Sequence, residues 1–60
     1  MSLPKDPFML LSYINTQLRD NYKSLAELAS SLGEDEAKIR ETLGNSGFEY
    51  DEELNRFAAR

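Results

Sequence analysis

Ser24-Leu25-Ala26-Glu27-Leu28-Ala29-Ser30-Ser31-Leu32-Gly33, followed by Glu34-Asp35-Glu36-Ala37-Lys38-Ile39, is the stretch on which the fold turns. Ser24 and Glu27 have the spacing of a capping box, in which each side chain serves the other residue's amide at a helix start. Leu25, Leu28, Ala29 and Leu32 then repeat on one helical face. Gly33 stands where a left-handed residue ends such a helix. A second helix begins at about Asp35 and runs to Leu43 or Gly44, with Ala37, Ile39 and Leu43 as its inward residues. Its first turn is acidic, which suits the positive end of the helix dipole. Ala29, Gly33 and Ile39 stand as Ala-x3-Gly-x5-Ile, the spacing of a helix-turn-helix pair: a small residue for close approach, a glycine for the turn and a branched residue packed between.

On the N-terminal side, Asp6-Pro7 predicts a helix start, with Asp6 accepting from the first free amides and Pro7 at the first helical position. Phe8, Leu11, Ile14 and Leu18 recur at helical spacing, and Met9, Leu10 and Tyr13 widen the stripe. The spacing predicts a helix over about 7–20. On the C-terminal side, Gly44-Asn45-Ser46-Gly47 is a terminator. The tail that follows has two readings. Phe48 and Tyr50 alternate with Glu49 as in a strand, and a four-residue loop would set Asn55 opposite Tyr50 and Phe57 opposite Phe48. Alternatively, Asp51 caps a last helix carrying Leu54, Phe57 and Ala58. Propensity favours the helix and aromatic pairing favours the hairpin; the hairpin, over about 48–58, is the expectation adopted. The expectation is a mainly α, compact three-helix domain with a C-terminal β-hairpin, similar to a winged helix-turn-helix, over residues 1–60 as a single domain.

Sixty residues allow one core, since a chain of this size buries only about 60% of its unfolded surface. Cysteine, histidine and tryptophan are absent. Disulfides, thiol chemistry and the usual zinc ligands are therefore excluded, along with the one side chain that ordinarily titrates near neutrality. No serine or threonine has a histidine to activate it, and the three glycines punctuate helix ends without forming a phosphate loop. Glu34-Asp35-Glu36 and Asp51-Glu52-Glu53 lack the alternating spacing of a calcium loop. The expectation is a protein that is not an enzyme and uses no cofactor or metal. No segment reaches the roughly 18–20 apolar residues of a membrane span, and Phe8 to Leu11 is too short for a signal-peptide core. A cytoplasmic location is expected by elimination.

The net charge of −4 lies entirely in the second half. Lys5, Arg19 and Lys23 balance Asp6, Asp20 and Glu27, whereas residues 34–60 carry eight acids against four bases. A recognition helix would lead with Glu34, Asp35 and Glu36, against DNA carrying one negative charge per roughly 1.7 Å. The acids favour contacts with a protein partner or a second copy of the chain, through Tyr13, Tyr22, Tyr50 and the acidic Glu34, Asp35 and Glu36. The competing expectation is a winged helix-turn-helix DNA-binding regulator that would use Arg19, Lys23, Lys38, Arg40 and Arg56.

Leu3-Pro4-Lys5-Asp6-Pro7-Phe8-Met9-Leu10-Leu11-Ser12, then Asn15-Thr16, Leu18-Arg19-Asp20 and the closing Tyr50-Asp51-Glu52-Glu53 with Asn55 and Phe57, resemble the small bacterial proteins of domain-of-unknown-function family 4250. The resemblance spans nearly the whole chain. It implies a stand-alone bacterial protein of this size and adds weak support for the hairpin. It implies no activity and transfers no site residue.

Overall fold

The computed structural model describes residues 3–60, so the first two residues of the expected 1–60 domain lie outside it. Three helices, α1 (Pro7–Asp20), α2 (Leu25–Leu32) and α3 (Glu36–Gly44), precede an antiparallel hairpin of β1 (Phe48–Asp51) and β2 (Arg56–Ala59). Three helices closed by a C-terminal hairpin is the architecture the sequence predicts.

Local signals explain most of the boundaries. Ser24 Oγ accepts from the Glu27 amide at 3.1 Å, the first half of the capping box. The second half differs: the Glu27 carboxylate accepts from the Lys23 amide at 3.4 Å, one residue before Ser24. Gly33 has φ 69°, and the amides of Gly33 and Glu34 bond back to Ser30 and Ala29. That pair of bonds is a Schellman ending, which requires the left-handed backbone glycine adopts without strain. Asp35 caps α3, its Oδ1 accepting from the Ala37 amide at 2.9 Å. Asp6 precedes α1 in the cap position, but its side chain takes no amide; Pro7 supplies no N–H there and already holds the helical φ.

Among the described residues nine side chains form the core: Leu10, Ile14, Leu18, Leu25, Leu28, Ala29, Ile39, Leu43 and Phe57. The helix-turn-helix spacing holds, with Ala29 and Ile39 both buried between α2 and α3. The inward face of α1 is Leu10-Ile14-Leu18, rotated from the expected stripe. Phe8 and Met9 are 65% and 63% exposed, and Leu11 is only half-buried. A chain this short has too little core volume for every apolar residue of a broad stripe, so three aligned positions fill it. Ala37 is likewise exposed, because Ile39 and Leu43 already define the buried line of α3.

The hairpin register departs from expectation by one loop position. Tyr50 faces Phe57, Phe48 faces Ala59 and Asp51 faces Arg56. The four-residue loop is 52–55, one residue further on than expected. Asp51 stays in the strand while its Oδ1 accepts from the Glu53 and Leu54 amides at 2.9 and 3.2 Å, and Asn55 closes the loop at φ 52°. Moving a loop by one residue shifts every partner by two, which preserves the face of each side chain. Phe48, Tyr50 and Phe57 therefore still share the core-facing side, with the Tyr50 and Phe57 rings 5.4 Å apart.

Candidate interaction surface

The hairpin is joined to the helices by two asparagines. Asn15, on α1, donates from Nδ2 to the Phe57 carbonyl at 3.0 Å and accepts at Oδ1 from the Phe57 amide at 2.8 Å. Its amide group thus replaces a neighbouring strand along the outer edge of β2. Asn55 donates to the carbonyls of Leu18 and Tyr22 at 3.1 and 3.0 Å, serving the C-terminal end of α1. Its Oδ1 accepts from the Tyr50 hydroxyl at 2.6 Å, and that hydroxyl accepts from the Leu25 amide at 3.2 Å. One chain of hydrogen bonds therefore runs from the end of α1, through the hairpin, to the start of α2.

This arrangement leaves a shallow groove of about 710 Å³ between α1 and the β2 side of the hairpin. Phe8 and Leu11 line its α1 side and Leu54 lines the hairpin side, while Asn15 and Asn55 are part of its wall. Phe8 and Leu54 are each 65% exposed. The Phe8 ring is held edge-on against Phe48 at 6.1 Å, so this large apolar side chain is positioned while remaining open to solvent. Arg19 and Arg56 also line the groove, and no carboxylate does. Arg19 is bonded through its guanidinium to Asp20 at 2.9 and 3.0 Å. Hydrogen bonding from Arg19 holds the Asp20 carboxyl below its ordinary value, and the same bonds raise Arg19.

The residues expected to form a surface do not gather in one place. Tyr13 and Tyr22 are half-buried against the core. Tyr50 has its hydroxyl committed internally, and Arg40 lies over its ring at 5.2 Å. Asp35 is occupied as a cap, Glu36 is paired with Arg40 at 3.1 Å, and Glu34 is half-buried. Of the five expected DNA contacts, only Arg19 and Arg56 share a depression. Lys38 stands with Glu34 and Asp35, Arg40 with Glu36 and Tyr50, and Lys23 in the exposed α1–α2 turn. Phe8 and Leu54 were missed as surface residues because helical spacing places Phe8 on the apolar stripe, and a loop leucine carries no periodic signal. Among the described residues no group of acids is arranged to hold a metal ion, and no helix is long and apolar enough to cross a membrane.

The fold and this surface define a small three-helix domain closed by a hairpin, with an open apolar groove along one side. Residues 4–57 match the family described as Domain of unknown function (DUF4250), and the chain belongs to that family. No curated protein and no solved structure matches it.

Proposed function

We propose that the chain is a non-enzymatic protein-interaction or regulatory module whose contact surface is the groove between α1 and β2. The observation that carries this reading is the pairing of Phe8 and Leu54, two large apolar side chains left 65% exposed on one groove. Exposed apolar residues scattered singly are ordinary, whereas several around one concavity mark a binding surface. A partner would cover Phe8, Leu11 and Leu54 and meet Arg19 and Arg56 at the polar margin.

Against the nucleic-acid reading weigh the acids at the start of α3 and the dispersal of the five cations. Two arginines in one groove, one of them tied to Asp20, supply little counterion release.

The test is photo-crosslinking in cells from benzoylphenylalanine placed at Ser12 or Thr16, which are exposed on the groove, with Ser30 on α2 as the distant control. A discrete adduct from the groove positions alone, lost in the Phe8→Ser/Leu54→Ser double variant, supports the proposal. Equal labelling from Ser30, or none from the groove, overturns it. Salt-sensitive binding to a random duplex that survives the double variant would move the assignment to nucleic acid.

A further inference from the structure

The two edges of the hairpin are not equivalent. In an antiparallel pair, residues alternate between those bonding across the ladder and those whose N–H and C=O point outward. Phe57 turns outward to Asn15, so its partner Tyr50 also turns outward, on the opposite edge, as does Phe48 two residues before it. The bond from the Arg60 amide to the Gly47 carbonyl at 3.1 Å places Gly47 in a cross-bonded pair and confirms the alternation. Asn15 occupies the β2 edge. Among the described residues nothing meets the outward N–H and C=O groups of Phe48 and Tyr50.

Charge along this edge is predominantly acidic. The solvent face of the hairpin carries Glu49 and Asp51 on β1 and Arg56 on β2, with Arg60 just beyond. Glu52 and Glu53 follow in the loop. Two guanidiniums also border this strand: Arg40, paired with Glu36, lies over the Tyr50 ring, and Arg60 donates to the Gly44 carbonyl at 2.7 Å. Glu49, Asp51, Glu52 and Glu53 outnumber them, so the β1 side of the hairpin stays net acidic. Asp51 is engaged with two loop amides, whereas Glu49 is exposed and accepts no hydrogen bond among the described residues.

We propose that the outer edge of β1 docks an extended basic segment of a partner protein, which adds a third strand to the hairpin. The main chain of the segment bonds to Phe48 and Tyr50. Its lysines or arginines fall opposite Glu49 and Asp51, and its intervening apolar residues lie beside the Phe48 ring, the Tyr50 ring being covered by Arg40. A second copy is the wrong occupant: antiparallel pairing through Phe48 and Tyr50 centres on Glu49 and sets two copies of that carboxylate face to face. This site lies on the opposite strand from the α1–β2 groove, so each can fail without the other.

The test is amide exchange and chemical shift by nuclear magnetic resonance on the full chain. The probes are a short synthetic peptide alternating lysine and valine and its counterpart with glutamate for lysine. In the free protein the Phe48 and Tyr50 amides exchange faster than those of Glu49 and Ala58, which face across the ladder. The lysine peptide slows both outward amides by about tenfold or more at saturation, and the glutamate peptide does not. Glu49→Lys weakens the lysine peptide by about fivefold, and Glu49→Gln by less, with the remaining spectrum unchanged in each. Protection of Phe48 and Tyr50 in the dilute free protein would overturn the proposal, as would indifference to the lysine peptide at millimolar concentration. Equal response to both peptides overturns the charge argument. Protection that grows with the protein's own concentration, alongside dimer in sedimentation, gives the edge to a second copy instead.

Discussion

The side-chain amide of Asn15 bonds both main-chain groups of Phe57, at 3.0 and 2.8 Å, across 42 positions of sequence. Phe57 is 1% exposed and is the single aromatic ring fully inside the core. A helix side chain thereby holds in register the strand that closes the hydrophobic cluster, doing for β2 what a third strand would otherwise do.

Asn15→Ala leaves the Phe57 N–H and C=O without their partner and is expected to cost about 2 kcal/mol, read as a lower urea midpoint at unchanged slope. Asn15→Asp keeps the acceptor but sets a carboxylate oxygen against the Phe57 carbonyl. It should be as damaging near neutral pH and recover part of the loss on acidification, when the neutral acid can donate. Equal stability of Asn15→Asp and the parent at pH 7 would contradict this account.

Tyr50→Phe removes only the hydroxyl that joins Asn55 to the Leu25 amide, since the ring contacts with Phe57 and Arg40 remain. The expected loss is about 1–2 kcal/mol, a fall in Tm of roughly 8–16 °C for a domain of this size. Calorimetry measures it directly.

Asn55 separates backbone from side-chain effects. Asn55→Gly and Asn55→Ala both abolish the bonds to Leu18, Tyr22 and Tyr50. Only alanine must also hold φ 52°, so it should be the less stable by about 1 kcal/mol. Matched denaturation curves for the two variants would show that the loop relaxes.

Two glycines should respond oppositely to alanine. At Gly33 there is open space for a Cβ, but φ 69° carries the left-handed penalty, so Gly33→Ala is expected to cost about 1 kcal/mol. Gly44 has no positive φ, and an added Cβ would meet only the end of the Arg60 side chain at 3.3 Å. That exposed guanidinium can shift, so Gly44→Ala should be neutral or stabilising by up to about 1 kcal/mol. Thermal melting of both variants checks the pair.

Asp20 provides the acid-side signature. Because Arg19 lowers its folded pKa from the ordinary 3.8, the pair's contribution is present above that value and fades as pH falls through the lower folded one. Both groups are fully exposed, so the effect on stability is small. The carboxyl titration followed by nuclear magnetic resonance should have its midpoint below 3.8 and move upward in Arg19→Ala.

The legible parts of this sequence were those governed by near neighbours. Ser24 with Glu27, Gly33 after Leu32, and Asp35 before α3 each announce a helix boundary through bonds spanning a few residues. The Ala29-Gly33-Ile39 spacing likewise predicts a packed helix pair, and the alternation of Phe48 and Tyr50 predicts a strand. The register was less legible because two loop placements of equal length preserve the same faces. Asp51 and Asn55 select between them through bonds to the loop and to α1. The groove was illegible for a related reason: Phe8 and Leu54 are 46 positions apart and carry opposite local signals, a helical stripe and a loop.

By itself, then, the sequence determined the three helices, the buried pair Ala29 and Ile39, and an acidic second half, while the tail stood between a hairpin and a last helix. These follow from capping, periodicity and charge, which act over a turn or less. Tertiary structure alone decided that Asn15 would serve as a strand for Phe57, that Tyr50 would turn its hydroxyl inward, and that Phe8 would stay in water. Each outcome depends on which distant groups meet when a small core fills. Leu10, Ile14 and Leu18 fill it from α1, and the hairpin is held to α1 by Asn15 and Asn55.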